Sequence, residues 1–225
     1  MYCKYCKNVL ENELELQQGF HNSCQKEVED YQNSFSDYSK FYEDVTLPNQ
    51  EIKCLIELEK MLDESIRYSF KTENNHITEL NLSNKKISSL PEKIGNLTEL
   101  VKLDLSDNEL EYLPETIGKL NKLIDLNLQH NWFQEFPEKI CQLENLRVLD
   151  IARNGLTNLP TNLGQLSNLN ELYLHMNSLS ELPDSIGQLT NLRIFYVYYN
   201  HLETLPGSIV SLTNLKILEI SENSY

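Results

Sequence analysis

The sequence predicts an α/β solenoid, with a parallel β-sheet on its concave face, short helical or 3₁₀ turns on its convex face and a helical cap before the first unit. Three observations carry this prediction. Six of the seven prolines stand at 91, 114, 137, 160, 183 and 206, each 23 residues after the last. Leu97, Leu120, Leu143, Leu166, Leu189 and Leu212 recur at one place in that period, and Asn108, Asn131, Asn154, Asn177, Asn200 and Asn223 at another. A fixed period of this length marks stacked units, none of which can bury its apolar face alone.

Aligned on proline, the unit reads Leu-Pro-x-x-Ile-Gly-x-Leu-x-x-Leu-x-x-Leu-x-Leu-x-x-Asn-x-Leu, as in Leu113-Pro114-Glu115-Thr116-Ile117-Gly118 running on to Asn131. Within it Leu103-Asp104-Leu105 alternates with the two-residue period of a strand that has one buried face. Pro91, Ile94 and Leu97 then bring the chain back on the other side. Gly95, Gly118, Gly164 and Gly187 suit a tight bend there, while Cys141 and Val210 take that place in the other two units. The asparagine column is expected to turn its amides inward onto backbone groups at the strand exits. The first unit departs from the pattern, with Lys85 in place of the asparagine and Asn84 beside it.

This unit resembles the leucine-rich repeat, without insertion or deletion over residues 77–225, in about seven units. The Leu-Pro-x-x-Ile-Gly-x-Leu form is most similar to the intracellular leucine-rich repeat proteins of the Ras-group and Roco type. That resemblance implies a scaffold or regulator in signalling and a small GTPase as a partner.

Lys and Arg number 19 against 34 Asp and Glu, a formal net charge of −15. Phosphate-backbone binding needs clustered cations, and docking on an anionic membrane needs the same, so neither nucleic acid nor membrane is an expected partner. No run approaches the ~18–20 apolar residues of a membrane span. Five cysteines, an odd number, and an N-terminus without an apolar secretory core point to a reducing, cytoplasmic location.

Residues 1–25 carry a sharper pattern. Cys3-x-x-Cys6 and His21-x-x-Cys24 are two ligand pairs separated by fourteen residues. Tetrahedral zinc takes four such soft or borderline ligands, and a segment this short needs a metal in place of a core. The pattern resembles the first half of a LIM-type or treble-clef zinc finger. One structural zinc held by Cys3, Cys6, His21 and Cys24 is expected; coincidental cysteines and a redox Cys-x-x-Cys are the alternatives. Residues 26–70 read as a helical linker and cap, and 71–225 as the solenoid. Cys24, Val28, Tyr31, Phe35, Tyr38, Tyr42 and Val45 form a heptad-like seam. A helix over 49–66 is expected to place Ile52, Leu55, Ile56, Leu62 and Ile66 on the open end of the leucine core, with Asn49 as its N-cap and Cys54 off the stripe as an inert thiol.

The chain contains no glycine-rich phosphate loop, no Gly-x-Ser-x-Gly and no His-Glu-x-x-His, so no enzyme is expected. His130 and His175 read as surface histidines, and Asp104 and Asp150 as solvated carboxylates on separate strands. Binding is instead read from the outward strand positions. One column runs Asn81, Asp104, Asn127, Asp150, Tyr173, Tyr196, Glu219. The next two gather His175, Met176, Tyr198 and Tyr199 in the fifth and sixth units. Tyrosines bury large area with few rotors and dominate interface hot spots, and the leucines already fill the core. A protein partner is expected on Tyr173, Tyr196, Tyr198 and Tyr199, with His175, Met176 and Arg153 adjoining and His130, Trp132 and His201 at the rim.

The expected function is therefore a protein–protein scaffold or adaptor. An adaptor or substrate-recognition subunit of a ubiquitin-like conjugation system, or a structural self-assembling repeat, are the alternatives. The last unit holds Leu212, Leu215, Leu218 and Ile220 with only five residues after it. That predicts fraying over 207–225 or end-to-end self-association.

Overall fold

The computed structural model describes residues 47–224, apart from 64 and 67. The zinc pattern at Cys3, Cys6, His21 and Cys24 and the seam of 24–45 lie outside the described residues. A helix α1 (Asn49–Leu62) precedes an eight-stranded sheet taken in chain order: β1 (Phe70–Glu73), β2 (His76–Asn81), β3 (Lys102–Asp104), β4 (Asp125–Asn127), β5 (Val148–Asp150), β6 (Glu171–Tyr173), β7 (Ile194–Tyr196) and β8 (Ile217–Glu219). From β2 onward every pair is parallel and in register at the 23-residue period, so that Leu80, Leu103, Leu126, Leu149, Leu172, Phe195 and Leu218 form one row. Six 3₁₀ turns return the chain, from Glu92–Asn96 in the first unit to Gly207–Ser211 in the sixth. Each follows a proline held in extended conformation, whose carbonyl accepts the first bond of the turn, as Pro91 does from the Ile94 N–H at 3.0 Å.

The apolar positions of the period make a single core. Leu100, Leu103 and Leu105 from one unit and Ile117, Leu120 and Leu123 from the next turn are fully buried. The asparagine column closes the strand exits as the pattern predicts. Asn131 donates to the carbonyls of Leu105 (2.9 Å) and Leu128 (3.1 Å) and accepts from the Leu110 N–H at 3.0 Å. Asn177 repeats the arrangement on Ile151, Leu174 and Leu156. A second asparagine ladder runs along the turns, where Asn145, Asn168, Asn191 and Asn214 each donate to the carbonyl 24 residues back at 2.7–2.8 Å. The repeat glycines differ from expectation in their reason. None has a positive φ; a Cβ on Gly95 would lie 2.6 Å from the Thr116 carbonyl oxygen, and one on Gly187 would lie 2.5 Å from that of Ser208. They permit close approach of successive turns, not a tight bend.

The N-terminal end corrects several expectations. The helix ends at Leu62, with Asp63 in the left-handed conformation (φ 52°), instead of reaching 66. Its N-cap is Pro48, not Asn49. The face it buries is Glu51, Cys54, Leu55, Leu58 and Glu59, rotated from the predicted stripe: Ile52, Ile56 and Leu62 are only partly covered. Cys54 is at the centre of the buried face, and burial first pushes its thiol up to about 12, so it is inert. Rotation places the Glu51 carboxylate on the first repeat, where it meets His76 Nδ1 at 2.7 Å and accepts from the Ile77 N–H at 2.8 Å. Ahead of the first repeat the structure adds a strand that the repeat pattern, which begins at residue 77, does not contain. β1 pairs antiparallel with β2 through a two-residue turn at Asn74 and Asn75, both at positive φ (51° and 64°), as a type I′ hairpin demands.

At the other end, β8 is laid in register on β7, yet Leu218 is 38% exposed where its equivalents in the preceding units are buried. Val210, at the place the glycines hold in earlier units, is also exposed.

Candidate functional site

Each strand presents outward positions between and after its buried leucines, and parallel register stacks these positions into rows across the sheet. Asp104, Asn127, Asp150, Tyr173, Tyr196 and Glu219 occupy one row. In the early units these side chains serve their own backbone. The Oδ1 atoms of Asn81, Asp104, Asn127 and Asp150 each accept from the N–H two residues on, at 2.9–3.0 Å. Such local bonds are what short Asx side chains do at strand exits. Tyr173 and Tyr196 have no acceptor able to fold back in this way, so their side chains are available for other contacts.

The tyrosines form one continuous aromatic cluster. Tyr173 meets Tyr196 edge-to-face, with ring centroids 5.3 Å apart. His175 stacks on Tyr198 at 4.6 Å with planes 12° apart and lies edge-on to Tyr196 at 6.3 Å. Tyr199 extends the cluster from Tyr198 at 5.7 Å. Tyr173, Tyr196 and Tyr198 are half-buried, and Tyr199 is 52% exposed. Donation from the Tyr173 hydroxyl to Glu171 at 2.7 Å orients the ring at the edge of the cluster. Burial and that carboxylate together raise its phenol well above the ordinary value.

Two side chains differ from their sequence reading. His175 is not a surface histidine. It is only 8% exposed, its Nδ1 is buried without a hydrogen-bond partner, and burial, reinforced by Arg153, lowers its pKa. The ring is covered because Tyr198 of the next unit lies flat against it. Asp150 is not a solvated carboxylate either. Burial raises its pKa, and the charges of Asp104 and Asp125 add to the effect.

Not every expected rim residue joins the cluster. Met176 and Arg153 are exposed beside it. His130 instead meets Asp107, Nδ1 to Oδ1 at 2.6 Å. Trp132 and His201 are exposed past the strands, and among the described residues neither makes a ring contact with the tyrosines. Met176 and Tyr199 share a further property. With Asn84, Asp107, His130, Arg153 and Glu222 they form a column of left-handed residues, φ 52–57°, one per unit. Among the described residues no group of His, Cys, Asp and Glu side chains converges to hold a metal ion, and no helix is long and apolar enough to cross a membrane.

The leucine rows, the 3₁₀ returns and the asparagine ladder have a counterpart among known families. A leucine-rich repeat family model matches residues 75–133, 144–202 and 167–224. The chain belongs to the leucine-rich repeat family. Among solved structures it is similar to a leucine-rich repeat protein from Leptospira interrogans, at 34% identity and a TM-score of 0.54, over 65% of this chain and 43% of that one. It is also similar to the leucine-rich repeat ectodomain of the Arabidopsis thaliana membrane receptor kinase GASSHO1/SCHENGEN3, in complex with Casparian strip integrity factor 2. That likeness has 28% identity and a TM-score of 0.64, over 80% of this chain and 23% of that one. The Arabidopsis receptor kinase HAESA ectodomain, in complex with an N-terminally extended IDA peptide hormone, matches at 25% identity and a TM-score of 0.63, over 69% and 28%. This chain therefore spans less than half the length of each of these structures. No curated protein matches it. Leucine-rich repeat domains generally mediate protein–protein interaction and are typically non-enzymatic binding scaffolds.

Proposed function

We propose that this protein is a scaffold or adaptor that binds a protein partner on the concave sheet of the fifth and sixth units, with Tyr173, Tyr196, Tyr198 and Tyr199 as the anchors. The aromatic cluster carries this reading. Four tyrosines occupy outward positions that the core does not need, in contact with one another and with the buried His175 and partly open to solvent. The peptide hormone bound by the HAESA ectodomain supports a protein or peptide partner.

The Ras-group resemblance makes a small GTPase our proposed partner class, and we place the protein in the cytoplasm, a compartment that suits the free thiols of Cys54 and Cys141. Affinity purification with wild type and Tyr196→Ala tests both the site and the class. A GTPase lost on substitution supports the proposal. A conjugating enzyme supports the adaptor alternative, self-association alone supports a structural repeat, and a partner retained in full by the variant moves the site off the tyrosines.

We also propose one structural zinc at Cys3, Cys6, His21 and Cys24, on the ligand spacing alone. Elemental analysis of tag-free protein is expected to give one zinc per chain, and less in Cys6→Ser. Unchanged metal content in that variant, or no stoichiometric metal in wild type, excludes the site.

A further inference from the structure

The tyrosine cluster is bordered by Asp150, a carboxylate that makes no ion pair among the described residues. Asp150 lies in register with Tyr173 on the adjacent strand, ~4.8 Å away across the sheet, and Tyr173 is in register with Tyr196 on the next. One Asp150 oxygen accepts the Ala152 N–H at 3.0 Å; among the described residues no cation forms an ion pair with the group. Lys102, in the same part of the sheet, is already paired with Asp125 at 2.6 Å. Arg153 lowers the Asp150 pKa through space without pairing.

The surroundings decide what docks here. Any partner laid over Tyr173 removes more water from a carboxylate that burial already disfavours in its charged form. An apolar or acidic partner leaves that charge uncompensated, which disfavours binding. A cationic partner offsets the cost, and the tyrosine rings add their own attraction for a cation over their faces. The centre of the platform carries no competing cation, because burial favours the neutral form of His175. Glu171 and Glu219 flank the tyrosines, and the chain as a whole carries a net charge of −15. Among cations, guanidinium fits best: it is planar, more weakly hydrated than ammonium, stacks on aromatic rings and pairs with a carboxylate through two parallel N–H donors.

We propose that the partner of the concave face presents an arginine, whose guanidinium lies on the Tyr173–Tyr196 rings and pairs with Asp150. This rests on the reading of the tyrosine cluster as the docking surface. The test selects short random peptides on the immobilised full chain, then titrates the tightest binder against wild type, Asp150→Asn and Tyr196→Ala. The same peptide with each arginine replaced by citrulline, its neutral isostere, is titrated in parallel. Asparagine retains the acceptor for the Ala152 N–H, and the citrulline arm leaves the protein untouched, so neither comparison depends on a damaged fold.

The expected result is enrichment of arginine, a loss of about tenfold on citrulline substitution with wild type, and disappearance of that loss in Asp150→Asn. Peptides that need Tyr196 but bind equally well as citrulline versions, or keep their arginine preference in Asp150→Asn, overturn the arginine assignment and leave the docking surface standing. A selection that yields no Tyr196-dependent peptide removes both.

Discussion

Units two to four and units five and six share one backbone and present different chemistry on it. Both have the same buried apolar rows, the same 3₁₀ returns and the same inward asparagines. In the earlier units Asp104, Asn127 and Asp150 turn back on their own strand exits, so one oxygen of each is engaged locally. In the later units Tyr173 and Tyr196 replace them, and aromatic contacts between neighbouring strands replace the local bonds. The difference teaches that the inward positions set the frame, while the outward ones are free to vary between closing a turn and meeting one another across the sheet. Asp150 stands at the boundary: it bonds its own strand exit and lies in register with Tyr173 on the next strand.

The comparison breaks most visibly if the frame is not shared. Leu126→Ala and Leu172→Ala, one in each region and both fully buried, are expected to destabilise by about 3 kcal/mol apiece in chemical denaturation. Leu218→Ala, at a position 38% exposed, is expected to cost under about 1 kcal/mol. A large difference between the first two would show that the regions are held together differently.

Asparagine removal tests the same frame through hydrogen bonds. Asn131→Ala removes the acceptor of the Leu110 N–H and one of two amide donors to the carbonyls of Leu105 and Leu128, which keep Asn108 and Asn154; Asn177→Ala does the same for the Leu156 N–H and the carbonyls of Ile151 and Leu174, which keep Asn154 and Asn200. Each variant is expected to lose about 2 kcal/mol. Amide exchange is expected to quicken first at the N–H groups of Leu110 and Leu156.

Outward substitutions sharpen the contrast. Tyr196→Ala and Tyr198→Ala are expected to cost about 1–3 kcal/mol of partner binding and little stability. Asn81→Ala and Ser106→Ala are expected to leave binding unchanged, within about 0.5 kcal/mol. Equal binding losses in the two halves would spread the interface over the whole sheet.

The smallest effect is a pH dependence confined to the aromatic units. Burial first, then Arg153, holds the folded imidazole of His175 below its ordinary 6.5, beneath the stacked ring of Tyr198 and beside Tyr173 and Tyr196. The unfolded chain therefore binds more protons than the folded one between the depressed value and 6.5. The stability contributed by this site is complete above about 6.5 and declines as pH falls from there toward the depressed value. Denaturation midpoints of wild type and His175→Gln at pH 7.5 and 5.5 are expected to show a smaller drop in the variant.

The sequence alone determined the solenoid, its register and its asparagine ladder, because apolar side chains repeating every 23 residues can leave water only by stacking on the same positions one unit away. It also located the tyrosine-rich end of the sheet, since strand alternation tells outward from inward. The antiparallel β1 had its own local signal in Asn74-Asn75, the pair of left-handed turn residues, which lies ahead of the repeat pattern that begins at residue 77. What only the tertiary structure decided was the state of side chains whose neighbours lie a whole period away. His175 is buried because Tyr198 covers it, Asp150 is desolvated by adjacent strands, and α1 turns Cys54 and Leu58 inward because Glu51 bonds the first repeat. Periodicity tells which face a residue occupies; its exposure and ionisation depend on the volume and charge of neighbours that sequence spacing does not encode.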